Sequence, residues 1–335
     1  MGKNNKKKGN RGLGKRIMAL IVALLMVLGV AATFFVSCDE QQAATESGKV
    51  VATVGGVNIY DYEVRFYAQN YGRTEAEMLD ELISSTQIML FAEEKGVTVS
   101  DAELKKVKTD LEAEKKQYGE AQLNDYLKTM NITEEQYVKI MQNSLRYTTS
   151  FNAIFDLELF DGFKKADVEK FYNENYLRAK HVLIMFTDAE GKTRTDEEAL
   201  KLAKDVQKRL NNGESMDTLM AELSEDPDSK TYPDGYVFIN TKGMDETLKS
   251  SLPSVMVDEF TAGTAALSVG KVSNPVKTIY GYHVIQRLDI REEGIFEANR
   301  LNVINDMITV NQEAFDAEYE KFAAELEKKF PPKKK

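Results

Sequence analysis

The chain has 335 residues, 42% hydrophobic and 29% charged, with a formal net charge of −10, one cysteine, two histidines and no tryptophan. That length accommodates about two domains with buried cores. One cysteine excludes an intramolecular disulfide framework or a Cys-rich metal site, two histidines confine imidazole chemistry to His181 and His283, and the acidic balance argues against a nucleic-acid partner.

Residues 1–37 carry seven basic residues between Lys3 and Arg16 and no acid, with an uncharged run from Ile17 to Val36. A basic start ahead of an apolar run is the pattern of an export signal. About 20 such residues also suffice to span a bilayer, so an uncleaved anchor is the rival reading. Cys38 follows Ser37 at the end of the run, and Phe35-Val36-Ser37-Cys38 resembles a bacterial lipobox, whose cysteine is lipidated and becomes the first mature residue. The alternative is an inert cysteine at the end of a membrane helix. Either way, the rest of the chain is expected outside the membrane and tethered to it. Without the seven basic residues the formal charge moves from −10 to −17. Residues 38–48 are mostly small and polar after Cys38, the composition of a flexible spacer.

Residues 49–176 then read as the first part of a helical domain. Val50 to Ile59 alternates around Gly55-Gly56, which predicts a hairpin. Asp61 is placed to cap a helix carrying Val64, Phe66 and Tyr67. Apolar residues at helical spacing predict a helix over 75–95, stopped at Gly96. Ser100-x-x-Glu103 and Thr133-x-x-Gln136 have capping-box spacing and open helices near 101–117 and 134–155, and a short helix fits 166–175. Far downstream, in 290–330, Leu301, Ile304, Ile308, Phe315, Tyr319, Phe322 and Leu326 form one stripe. Such a stripe needs a partner surface, and a return to the N-terminal helices is the economical one. The alternative is packing on an immediate neighbour. Residues 331–335 read as a frayed basic tail.

The middle, 177–289, has the texture of mixed α/β. Arg178 to Phe186 alternates as a strand with His181, Leu183 and Met185 on one face. Helices are predicted from Asp196 to Gly213 and over 216–223. Two β-like runs, 273–278 and 282–288, are joined by a turn at Tyr280-Gly281. No Walker loop, G-x-S-x-G or H-E-x-x-H occurs, so neither a cofactor nor a metal is expected and a hydrolase is disfavoured.

An ordered set of blocks in this segment resembles the parvulin-type peptidyl-prolyl cis-trans isomerases: AKHVLI, NNGESMDTLMAELSEDPDS, YPDGYVF, MVDEF and LSVGKVSNPVKTIYGYHVIQR. With the lipobox ahead and helical segments on both sides, the whole is similar to the PrsA foldase lipoproteins, relatives of SurA. The block VATVGGVNIYDYEV also looks like the opening of their chaperone domain. The resemblance implies an α+β fold, with a parvulin domain (a four-stranded antiparallel sheet with helices) inserted into a mostly helical chaperone domain. It implies isomerisation of X-Pro bonds in secreted polypeptides that are unfolded or still folding. The rival reading is a non-enzymatic holdase that keeps the parvulin fold only to bind peptide. A second copy of the chain is a further partner, suggested by composition alone.

By the same resemblance, Met256 and Phe260 form the proline slot and Phe238 a wall; ordinary core packing is the alternative for the slot. Asp226 stands where the family carries Cys or Asp near the substrate amide, although Asp-Pro-Asp-Ser is also a turn string. His181 and His283 match the two family histidines and could form a directed hydrogen-bond chain, catalytic or structural. Thr278 is expected to bond the pair, and Tyr282 to flank it, mostly as packing. Two departures stand out. YPDGYVF replaces a GGDLGWF-like string, and the segment between Phe238 and Met256 is long. Lys192 and Arg194 lie among acids, which disfavours phosphate recognition.

Overall fold

The computed structural model describes residues 48–188 and 191–335. The leader, Cys38 and nearly all of the spacer lie outside the described residues. Two compact units result: the chain up to Lys164 together with Gln312–Lys335, and Lys165–Asn311.

In the first unit, β1 (Val50–Val54) and β2 (Val57–Tyr60) pair antiparallel around Gly55 and Gly56, both at positive φ, +55° and +89°. Only glycine enters that region at no steric cost, so the pair dictates this tight turn. α1 (Asp61–Tyr71) follows directly. Its cap differs from the expectation: Tyr60 is the boundary residue and donates its N–H to the Glu63 carboxylate at 2.9 Å, while Asp61 accepts from the Lys49 N–H at 2.8 Å. α2 (Glu75–Glu94), α3 (Asp101–Tyr118) and α5 (Glu134–Asp156) open with capping boxes at Thr74, Ser100 and Thr133. α4 (Glu120–Thr129) has no side-chain cap, and nothing in the sequence reading foresaw it. Phe66, Tyr67, Met78, Leu82 and Ile140 are fully buried at the centre of this unit.

The C-terminal stripe is two helices. Asn311 (φ −113°, ψ 35°) leaves helical geometry between Ile295–Val310 and Gln312–Lys329. Of these, Gln312–Lys329 completes the first unit. Its Phe315 and Phe322 rings each lie 5.4 Å from that of Phe160, and Phe315 stacks on Phe155 of α5 at 6.2 Å. Contacts of this kind exceed simple area burial by about 0.5–1.5 kcal/mol each.

The basic tail is not frayed. Pro332–Lys334 is a strand, β7, that pairs antiparallel with β1 and gives the sheet order β2-β1-β7. The Lys335 N–H donates to the Val51 carbonyl at 2.9 Å, and Lys334 pairs with Asp80 at 2.5 Å. Without β7 one edge of β1 would be open, and open edges invite pairing with other chains. Deleting residues 331–335 is expected to destabilise this unit by about 1–3 kcal/mol, from roughly three ladder hydrogen bonds at about 1 kcal/mol each. Urea unfolding of the full and truncated chains checks this; equal midpoints would show that the strand contributes nothing.

The second unit runs through α6 (Lys165–Asn175), β3 (Tyr176–Met185), α7 (Asp196–Asn211), α8 (Met216–Leu223), β4 (Tyr236–Ile239), α9 (Glu246–Lys249), α10 (Asp258–Ala265), β5 (Val276–Lys277), β6 (Gly281–Leu288) and α11 (Ile295–Val310). The sheet is four-stranded and antiparallel in the order β4-β3-β6-β5, as the α+β expectation has it. The unit boundaries differ from 177 and 289, because the flanking helices bind each other. Tyr172 of α6 lies 5.2 Å from Phe296 of α11 and donates its hydroxyl to the Ile290 carbonyl at 2.8 Å. One face of the sheet packs Val182, Ile184, Tyr282 and Val284 against α7 and α8. The other packs Leu177, Ala179 and Ile285 with Tyr236, Phe238 and Phe260. Among the described residues, no helix is long and apolar enough to cross a membrane.

Candidate active site

Strand register brings the histidines together. His181 on β3 is opposite Ile285 on β6, and Leu183 is opposite His283, so the histidines are diagonal neighbours on one face. Their ring centroids are 5.0 Å apart at 62°. Phe260, reaching in from α10, meets His181 at 5.0 Å and His283 at 5.3 Å, edge to face in both cases. Both imidazoles are buried.

Asp226 arrives by a different device. β4 pairs only with the Tyr176–Ala179 half of β3, leaving the Leu183–Met185 edge for the loop after α8. There the Leu183 N–H donates to the Ser224 hydroxyl at 3.2 Å, the Glu225 N–H to the Leu183 carbonyl at 2.9 Å, and the Met185 N–H to Glu225 Oε2 at 2.7 Å. Arg194 clamps the same Glu225 with two bonds of 2.7 and 2.6 Å. Asp226, the next residue, is thereby held against the histidines. Its Oδ2 accepts the Tyr236 hydroxyl at 2.5 Å and lies 3.3 Å from His181 Nε2, off the line of a hydrogen bond. Its Oδ1 accepts the Asp228 N–H at 3.2 Å. The turn reading and the site reading of Asp226 therefore both hold, one on each oxygen.

The protonation states follow from burial and neighbours. Burial pushes the Asp226 carboxyl up, but His181 and Tyr236 outweigh it and hold the group at about 2, so it is ionised at neutral pH. Tyr236 is raised by its own burial and by Asp226, and remains a donor. His283 is pushed down to about 3, first by burial and then by His181, with Asp226 opposing. It is neutral and bonds Thr278 Oγ1 through Nε2 at 2.9 Å, while the Tyr280 N–H donates to the same hydroxyl at 3.2 Å.

This depression has a pH consequence. The unfolded chain takes up a proton at His283 below about 6.5, whereas the folded chain does so only near 3. Stability contributed here is intact above 6.5 and falls as pH drops towards 3, by up to about 1.4 kcal/mol per pH unit. In urea unfolding at pH 7, 5 and 4, His283→Gln is expected to lose part of the wild-type acid slope. Identical slopes would mean that His283 is not held neutral.

Several expectations are corrected. The histidines form no direct hydrogen-bond chain: His283 Nδ1 and both ring nitrogens of His181 have no hydrogen-bond partner. Tyr282 does not flank the pair. Strand alternation puts it on the opposite face, against α7, with its hydroxyl on Asp196 at 3.1 Å. Phe238 and Phe260 are fully buried core residues as well as site residues, so they form a floor, and Met256 is the partly exposed member of that cluster. Arg194 is engaged by Glu225 and closes the phosphate question. Sequence reasoning missed Tyr236, which stacks on His181 at 5.5 Å and 21°. The signal was available in YPDGYVF: an aromatic two residues before Phe238 must share its face.

What results is an aromatic floor, an ionised carboxylate with a fixed phenol donor, and two buried imidazoles. The turn between β5 and β6 exposes Ile279 (75%) and Tyr280 (50%) beside Thr278.

Residues 163–291 match the PPIC-type PPIase domain. Foldase protein PrsA of Caldanaerobacter subterraneus subsp. tengcongensis is 28% identical over 302 residues, covering 81% of this chain and 82% of that protein. Chaperone SurA of Chromohalobacter salexigens is 35% identical over 118 residues, 35% of this chain and 23% of its own length. The crystal structure of PrsA from Bacillus subtilis covers 84% of this chain and 92% of its own, with 21% identity and a TM-score of 0.34. The chain carries a PPIC-type PPIase domain and is PrsA-like along most of its length.

Proposed function

We propose, starting from this PrsA-like organisation, that the protein is a foldase that isomerises X-Pro bonds in exported polypeptides, tethered outside the membrane through a lipid on Cys38. The carrying observation is the ionised Asp226, held beside two buried imidazoles over the floor of Phe238, Phe260 and Met256.

Rotation about an X-Pro bond meets a barrier of about 18–20 kcal/mol because twisting breaks amide resonance. A catalyst needs an apolar seat for the proline ring and fixed polar groups that favour the twisted amide. The floor supplies the first. Asp226, Tyr236 and Thr278 supply the second, already oriented by protein bonds, so little reorganisation is required. No bond is made or broken, and no energy source is consumed. The helical first unit is the natural place for an unfolded client to rest while its prolines exchange.

Catalytic amounts of the chain are expected to accelerate refolding of a proline-limited substrate. Suppression of aggregation at stoichiometric amounts, with no acceleration, would overturn the enzymatic reading. The tether has a separate test. Cys38→Ala should release or misprocess the protein in cells, and unchanged mature mass with unchanged membrane retention would refute it.

A further inference from the structure

One fully buried carboxylate lies outside the pocket. Asp306 on α11 has no exposed surface. Its Oδ2 accepts the hydroxyl of Tyr176, the first residue of β3. Ser254 turns both its hydroxyl and its backbone N–H towards the same carboxylate, and Oδ1 has no hydrogen-bond partner. Burial pushes this carboxyl up to about 6, against the lowering by Tyr176 and Ser254. A carboxylate is expensive to bury, so its position calls for something that it fixes.

Ser254 is that residue. Its carbonyl accepts the Ile239 N–H at 2.8 Å, and Ile239 at the end of β4 is in register with Tyr176. β3, β4 and α11 thus converge on one point of the long segment after β4, whose only helix is the four-residue α9. Met256, the partly exposed member of the floor, is two residues further on. α11 itself begins beyond the residues that match the PPIase domain.

We propose that Asp306 is a positioning residue of the isomerase site: it holds Ser254 so that Met256 stands beside Phe260, and the working unit extends through α11. The functional half of this inference rests on the isomerase reading above. The anchoring half does not.

The experiment uses the full chain in detergent, as wild type, Asp306→Ala and Asp306→Asn. Hydrogen exchange at residues 254–257 is expected to quicken about tenfold in Asp306→Ala, the scale of one lost charge-assisted bond, with β3 and β6 amides unchanged. KM for a proline peptide should rise about tenfold with kcat within about twofold. Asp306→Asn, which keeps an acceptor oxygen, should recover most of both. Unchanged exchange at 254–257 overturns the proposal, and so does loss of protection across the whole unit in both variants. If the wild type shows no turnover, the isomerase reading fails, and peptide affinity replaces KM; affinity unaffected by Asp306→Ala then overturns the inference as well. Should Asp306→Ala not fold, Ser254→Ala reads the same link, with about threefold faster exchange expected at 255–257 and no change overturning it.

Discussion

Asp226→Ala is expected to lower kcat/KM for a proline peptide about 100-fold while the second unit stays folded. The loss is electrostatic. Oδ2 is fixed by the 2.5 Å bond from Tyr236 and by the loop that Glu225 and Arg194 stitch to β3, so the charge stands ready before any substrate arrives. Removing one preorganised polar group of this kind typically costs about 10²–10³ in rate. The fold should survive because the stitching bonds come from Ser224 and Glu225, not from Asp226. Asp226→Asn keeps the shape and removes the charge, so an intermediate rate is expected. Activity of Asp226→Ala within about threefold of wild type, with an unchanged melting curve, would show that the carboxylate is only a turn residue. Because the group is held at about 2, its own protonation should not depress activity until the pH approaches that value.

Gly281→Ala should have the largest effect on stability. Gly281 opens β6 opposite Met185, and an added Cβ would lie 2.0 Å from the Ile184 carbonyl oxygen and 2.8 Å from Met185 Cα. Both obstacles are backbone of the central strand, so no side-chain rotation relieves the clash. The Gly281 carbonyl also accepts the Thr278 N–H at 2.9 Å, and the Thr278 hydroxyl holds His283. The substitution therefore strains the sheet and loosens the site together. A destabilisation of about 3 kcal/mol or more is expected, seen as a fall of roughly 10 °C in the melting of the second unit. A shift below about 2 °C would mean that the strands do not approach this closely.

Much of this was legible in one dimension because its causes are local. The capping boxes at Ser100 and Thr133, the glycine hairpin after Val54 and the alternation of β3 each depend on a few consecutive residues. The site residues His181, Asp226, Thr278 and His283 were reached through resemblance, and the structure gathers all four on one side of the sheet. Tyr282 was misplaced although strand period alone assigns its face, and Tyr236 was overlooked for the same reason. The break at Asn311 was hidden because the apolar stripe runs on across it without a glycine or proline to mark the change.

By itself, the amino-acid order determined the elements, the acidic balance, the signal-like leader ending at Cys38 and the rare residues on which any chemistry had to rest. Only the tertiary structure decided which of these residues meet. The His181–His283 diagonal needs the β3–β6 register, the reach of Asp226 needs an edge that β4 leaves unpaired, and the ties to Tyr176 and Ser254 that make Asp306 more than a stray acid come from β3 and from the segment after β4. Contacts across a hundred residues are set by how whole faces pack, and no short run of sequence carries that information.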